Sequence, residues 1–116
     1  MVAESEEQVF AEALEAFGEL IALDGGGEEE EIEVSVEARD RPALLVEWLE
    51  ELIFLADTRS FVPIRAHDLR VEGGSLRSTI VGRRGRVAPL VKAATYHRLR
   101  FAHENEMWHA RIVLDV

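Results

Sequence analysis

Two periods of hydrophobic and polar positions run along this chain, one helical and one extended. Across residues 5–23, Val9, Phe10, Ala13, Leu14, Phe17, Leu20 and Ile21 recur at spacings of three and four, which predicts an amphipathic helix. Ser5 with Gln8 three positions later forms a capping box at its start. Gly25-Gly26-Gly27 is its expected stop. Residues 32–38 then alternate strictly, with Ile32, Val34, Val36 and Ala38 on one side and Glu33, Ser35 and Glu37 on the other. That is the pattern of a half-buried strand.

A second helix follows, with Asp40 as N-cap and Pro42 in the first turn, where its missing N–H costs nothing. Leu44, Leu45, Trp48, Leu49, Leu52, Ile53 and Leu55 give it a broad apolar face, and Glu47, Glu50 and Glu51 lie largely off that face. It is expected to stop near Asp57. The remainder reads as strands. Residues 64–72 and 76–82 flank the hairpin signal Gly73-Gly74, and residues 95–102 and 107–115 flank a turn at Glu104-Asn105-Glu106. Residues 83–91 read as a loop, and Glu28 to Glu31 as another. Met1-Val2-Ala3 resembles the tail of a strand. Helix, strand, helix and four strands predict a two-layer α+β domain spanning residues 1–116, with two helices on one face of a mainly antiparallel sheet.

Charge changes this picture. The formal net charge is −10, which argues against wrapping a nucleic acid with the whole surface. The distribution is uneven. Residues 1–60 hold 18 acids against 3 bases, and residues 61–116 hold 5 acids against 10 bases, so the halves carry −15 and +5. One half is suited to a basic partner and the other to an anionic group. No apolar run approaches the length of a membrane span, and the N-terminus has neither the basic start nor the apolar stretch of a secretory signal. With no cysteine in the chain, a cytoplasmic location is expected.

The lack of cysteine also excludes a disulfide scaffold, a thiolate nucleophile and sulfur-ligated zinc. His97, His103 and His109 recur every six residues, but no spacing matches a zinc pattern. His67 stands apart from them. No nucleophile, base and orienting group form a set, so no catalytic residue is expected. The candidate binding residues are therefore charged side chains. Arg83, Arg84 and Arg86 are expected together on the 83–91 loop, facing phosphate or a partner. No aromatic residue interleaves them, so direct RNA contact is expected to be weak or absent. Lys92 is the only lysine in the chain. Trp48 and Trp108 are expected in the core.

Three stretches together resemble the archease family. Leu44-Leu45-Val46-Glu47-Trp48-Leu49-Glu50-Glu51-Leu52 is similar to that family's "LLVDWLNELL" helix. Val91-Lys92-Ala93-Ala94-Thr95-Tyr96-His97 is close to its "VKAVTYH" signature. Trp108 through Val116 resembles its closing "W-x-A…DI", with aspartate penultimate. The resemblance implies an accessory protein and not an enzyme: an activator of the RtcB-type RNA ligase of tRNA splicing, promoting GTP-dependent guanylylation and repeated turnover. The alternative is a chaperone or modulator of RNA- and DNA-processing proteins that needs no metal. The resemblance also implies a functional role for Lys92, and a divalent, calcium-like cation bound through Asp115 and the carboxylate of Val116. The family opens on a strand with a His-Thr-Ala-Asp motif that contributes a further metal-binding aspartate. This sequence has no such motif, and reads as truncated at its N-terminus relative to the family. Self-association or strand exchange through an open sheet edge is expected as a result.

Overall fold

The computed structural model describes residues 1–23, 27–89 and 91–116. The element order is β1 (Val2–Ala3), α1 (Glu6–Ile21), β2 (Glu29–Glu37), α2 (Arg41–Arg59), β3 (Phe61–Glu72), β4 (Ser75–Arg84), β5 (Ala93–Glu104) and β6 (Met107–Asp115). Both helix starts form as their caps predict. Ser5 Oγ accepts from the Gln8 backbone N–H at 3.2 Å, and Gln8 Oε1 accepts from the Glu4 N–H at 2.9 Å. Asp40 Oδ1 accepts from the Ala43 N–H at 2.9 Å. Each such cap is worth about 1 kcal/mol. Helix α2 runs two residues past Asp57 and closes on Ser60, whose φ of 52° is left-handed. Of the predicted stop Gly25-Gly26-Gly27, the first two residues lie outside the described residues; the helix, expected over 5–23, ends at Ile21 with Ala22 as its cap.

The α+β class is observed, but the single sheet is replaced by two. One has the order β1-β6-β5 and the other β2-β4-β3, with every neighbouring pair antiparallel. The reason lies in α2. Ten of its side chains, from Ala43 to Ala56, are buried. They point in too many directions for one sheet face to cover. The helix packs on β5 of one sheet, on β2 and β3 of the other, and on α1. Trp48, fully buried, donates its indole N–H to the Phe10 carbonyl in α1 at 2.9 Å. A row of aromatic contacts carries the core onward, from Phe10 to Phe101 (5.5 Å between ring centroids) and from Phe101 to Trp108 (5.7 Å). Trp108 is only half-buried, at the margin of that core.

The predicted strands all form: β2 to β5 start earlier than predicted, β2 ends one residue short of Ala38, and β6 has the predicted boundaries. The acidic run expected to be a loop is instead the first part of β2, because β4 supplies partners for it. Glu29 lies opposite Arg83 in the ladder, and Glu30 binds Arg84 at 2.8 Å. The start of the chain is a strand, as expected: Val2 pairs with His109 and Ala3 with Trp108. Arg41 fastens three elements at one end of the molecule. It pairs with Glu6 of α1 at 2.8 Å and donates to the Gly73 carbonyl in the β3–β4 turn.

Two backbone positions are constrained enough to test. A Cβ built on Gly18 of α1 lies 2.0 Å from the Pro63 carbonyl oxygen of β3, so helix and strand meet there backbone to backbone. Gly18→Ala is expected to lower stability by about 3 kcal/mol in urea unfolding, since neither main chain yields cheaply. In the β5–β6 turn, Asn105 and Glu106 both have positive φ, at 53° and 64°. That is the requirement of a type I′ turn, which asparagine meets well and glutamate poorly. Glu106→Gly is expected to raise stability by about 0.5 kcal/mol, relief of the left-handed strain outweighing the added freedom of the unfolded chain.

Candidate functional site

The end of β6 and the start of β5 form one tip of the molecule. The ladder sets Ala93 opposite Asp115 and Ala94 opposite Leu114. Just outside it, the Lys92 N–H donates to the Asp115 carbonyl at 2.7 Å. Backbone pairing thus makes neighbours of Lys92 and Asp115, two residues distant in sequence. Both side chains are exposed, and Val116 is 74% exposed. Among the described residues, no ion pair joins the Lys92 ammonium to Asp115. The tip offers a cation and a carboxylate side by side, each open to solvent.

Beneath it sits a residue that sequence reasoning placed only as an acid off the apolar face. Glu50 of α2, half-buried, accepts the Ala94 N–H on Oε1 at 2.8 Å. Strand β5 lies at the margin of its sheet, so a main-chain donor there lacks a ladder partner on one side. The Glu50 carboxylate takes that place and ties the tip to the central helix. An acid flanked by Trp48, Leu49 and Leu52 was the available signal, since a helix buried on nearly every side gives an acid on it few places to go but an end or an edge.

The arginines do not form the expected loop cluster. Arg83 and Arg84 belong to β4, in the other sheet, and only Arg86 lies in the connection that follows. The cause is the acidic strand beside them: Arg84 binds Glu30, and Arg83 is half-buried opposite Glu29 and engaged within the molecule. Arg86 is exposed, and its carbonyl accepts the Leu23 N–H at 3.3 Å. Among the described residues, neither Arg84 nor Arg86 makes a hydrogen bond or ion pair with Lys92 or Asp115. A cleft on the outer face of that sheet is lined by Glu33, Asp68, Arg70 and Arg77, charges of both signs that offset one another.

The histidines do not converge either. His103 stacks on Trp108 with ring centroids 4.6 Å apart, and His97 is exposed. Among the described residues, no group of three or more His, Asp or Glu side chains is gathered as a metal ion requires. Asp115 with the carboxylate of Val116 makes two donors, whereas a hard cation takes six or more oxygens. These residues do not by themselves fit a resident cation.

Two helices and two three-stranded antiparallel sheets define the class as a small α+β domain, with exposed charges at one strand-end tip. Its place among known proteins is specific. The family model described as "Archease protein family (MTH1598/TM1083)" matches residues 1–116, and the chain belongs to the archease family. Protein archease of Methanopyrus kandleri is 33% identical over 123 residues, covering 98% of this chain and 88% of that protein. Protein archease of Pyrobaculum neutrophilum is 30% identical over 93 residues, covering 72% of this chain and 63% of that protein, so that match spans less than two thirds of the relative's length. The crystal structure of an archease from Thermotoga maritima, described as a "possible chaperone", superposes with a TM-score of 0.68 at 25% identity, covering 100% of this chain and 87% of that one. The solution structure of protein 1598 from Methanobacterium thermoautotrophicum gives the same TM-score at 26% identity, covering 99% and 88%.

Glu50→Ala removes the acceptor for Ala94 and is expected to cost about 1–2 kcal/mol, with faster hydrogen exchange at the Ala94 amide. Glu50→Gln keeps an acceptor and is expected to lose less than half as much.

Proposed function

We propose that this chain is a non-catalytic accessory protein of an RtcB-type RNA ligase, and that it promotes the ligase's GTP-dependent guanylylation and turnover in tRNA splicing. The observation that carries the reading is the pairing of Lys92 with Asp115 at an exposed strand-end tip, in a chain whose whole length matches the archease family. Lysine acts as a compact point charge toward phosphate. An uncommitted ammonium at an exposed tip can approach the phosphates of a guanylylation centre on the partner. The adjacent Asp115 carboxylate can accept from a donor there. The oxygen donors of Asp115 and Val116 fall short of a metal site, so in this reading the two charged side chains make the contact themselves. Direct RNA contact is not part of the proposal, since the chain carries a net charge of −10 and its arginines are engaged or dispersed.

A second reading, a chaperone for RNA-processing proteins, draws on the words attached to the Thermotoga relative. It requires neither tip residue. The two readings separate in a guanylylation assay with the cognate ligase and GTP. Lys92→Ala and Asp115→Ala are each expected to reduce the stimulated rate about tenfold, equivalent to about 1.4 kcal/mol of barrier, with the melting temperature unchanged. Full stimulation by the double variant would overturn the role of the tip, and absence of stimulation by the parent chain would overturn the ligase reading in favour of the chaperone.

A further inference from the structure

Three residues downstream of Lys92, β5 leaves the ladder. Thr95 pairs with Val113 and Arg100 with Arg111, so four residues of β5, 96–99, stand against Ile112 alone on β6. An ordinary bulge sets two residues against one. The excess is pushed outward. Tyr96 is 56% exposed, and His97 and Arg98 are exposed, while Leu99 turns back onto the core.

The bulge is also costly. Arg98 has φ 55°, in the left-handed region. The other left-handed residues that are not glycine have local reasons. Ser60 caps α2, Asn105 and Glu106 make the hairpin turn, and Asp68 is of the short polar type that tolerates the conformation. Arg98 is neither a cap nor in a two-residue turn. Beside it, the Thr95 hydroxyl is enclosed without a hydrogen-bond partner among the described residues. Strain and an unsatisfied hydroxyl thus occur in the same segment, and what the segment presents is an aromatic ring, an imidazole and a guanidinium. Val113, opposite Thr95, and Val116 add exposed apolar surface nearby, and Lys92 and Arg111 add positive charge. Tyrosine and arginine are the residue types that most often dominate protein interfaces, and local strain collects where a fold serves a contact.

We propose that the Tyr96-His97-Arg98 bulge is the main contact with the ligase partner, with Tyr96 filling an apolar pocket on that protein and Arg98 pairing with a carboxylate at the pocket's rim. The proposal rests on the ligase reading and adds to it the surface that is read. A partner of this chemistry is favoured over single-stranded RNA because the bulge supplies one ring and not a series of stacking platforms.

The test is calorimetric titration of the cognate ligase with the full chain. Tyr96→Ala is expected to weaken binding about tenfold or more without changing the melting temperature. Arg98→Gly is expected to raise the melting temperature by a few degrees, as strain is relieved, and still to weaken binding about tenfold. A purely structural role for the bulge predicts no such opposition. If the parent chain binds and both variants bind within about threefold of it, the contact is overturned and the ligase reading stands. If the parent chain does not bind, the ligase reading falls and the contact falls with it. Loss of single-stranded oligonucleotide binding in the variants, at unchanged ligase affinity, would assign the bulge to RNA and overturn the protein contact.

Discussion

The hydrogen bond from the Trp48 indole to the Phe10 carbonyl, 2.9 Å long and fully enclosed, marks the constraint from which the architecture follows. Helix α2 is apolar on nearly every side, and a helix of that kind has to be surrounded. One sheet covers one stripe. The chain meets the demand by splitting its strands into two antiparallel sheets and laying α1 across a third side. Trp48 has a polar nitrogen that must find an acceptor once buried, and the carbonyl in α1 provides it. The bond therefore fixes how the helices lie against each other as well as satisfying a buried donor.

The tip and the bulge inherit their positions from this arrangement. Strand β5 is the element of its sheet that packs most on α2, and Glu50 closes its exposed main chain. Lys92 and Asp115 become neighbours because β5 starts where β6 ends. A charged pair in such a place is held by main-chain bonds and not by mutual attraction, so both charges stay available to something else. The bulge adds an aromatic element to the same strand.

Much of the architecture was legible in the sequence because local signals carry it. Ser5 and Asp40 announced the helix starts, Gly73-Gly74 and Glu104-Asn105-Glu106 the hairpins, and the alternation in 32–38 a strand. What was not legible depended on distant partners. Glu29 to Glu31 reads as a solvated loop until Arg83 and Arg84 are set beside it, and those arginines read as a loop for the same reason in reverse. The two sheets were hidden because periodicity reports which face of a helix is apolar but not how many surfaces will cover it. For the site, the residues Lys92 and Asp115 came from family resemblance, whereas their proximity came only from the ladder. Glu50 as a strand-capping acid and the four-residue bulge after Thr95 left no periodic trace.

Glu50 joins the surface of this protein to its interior through a single carboxylate. Because that carboxylate belongs to α2 and receives the main chain of β5, a tilt of the helix carries the neighbouring strand end along with it. Substitutions around Trp48 or Leu52, far beneath the exposed charges, would therefore re-aim the tip without altering one of its side chains. The range of replacements the core can accept is then bounded by the geometry of the strand end it holds.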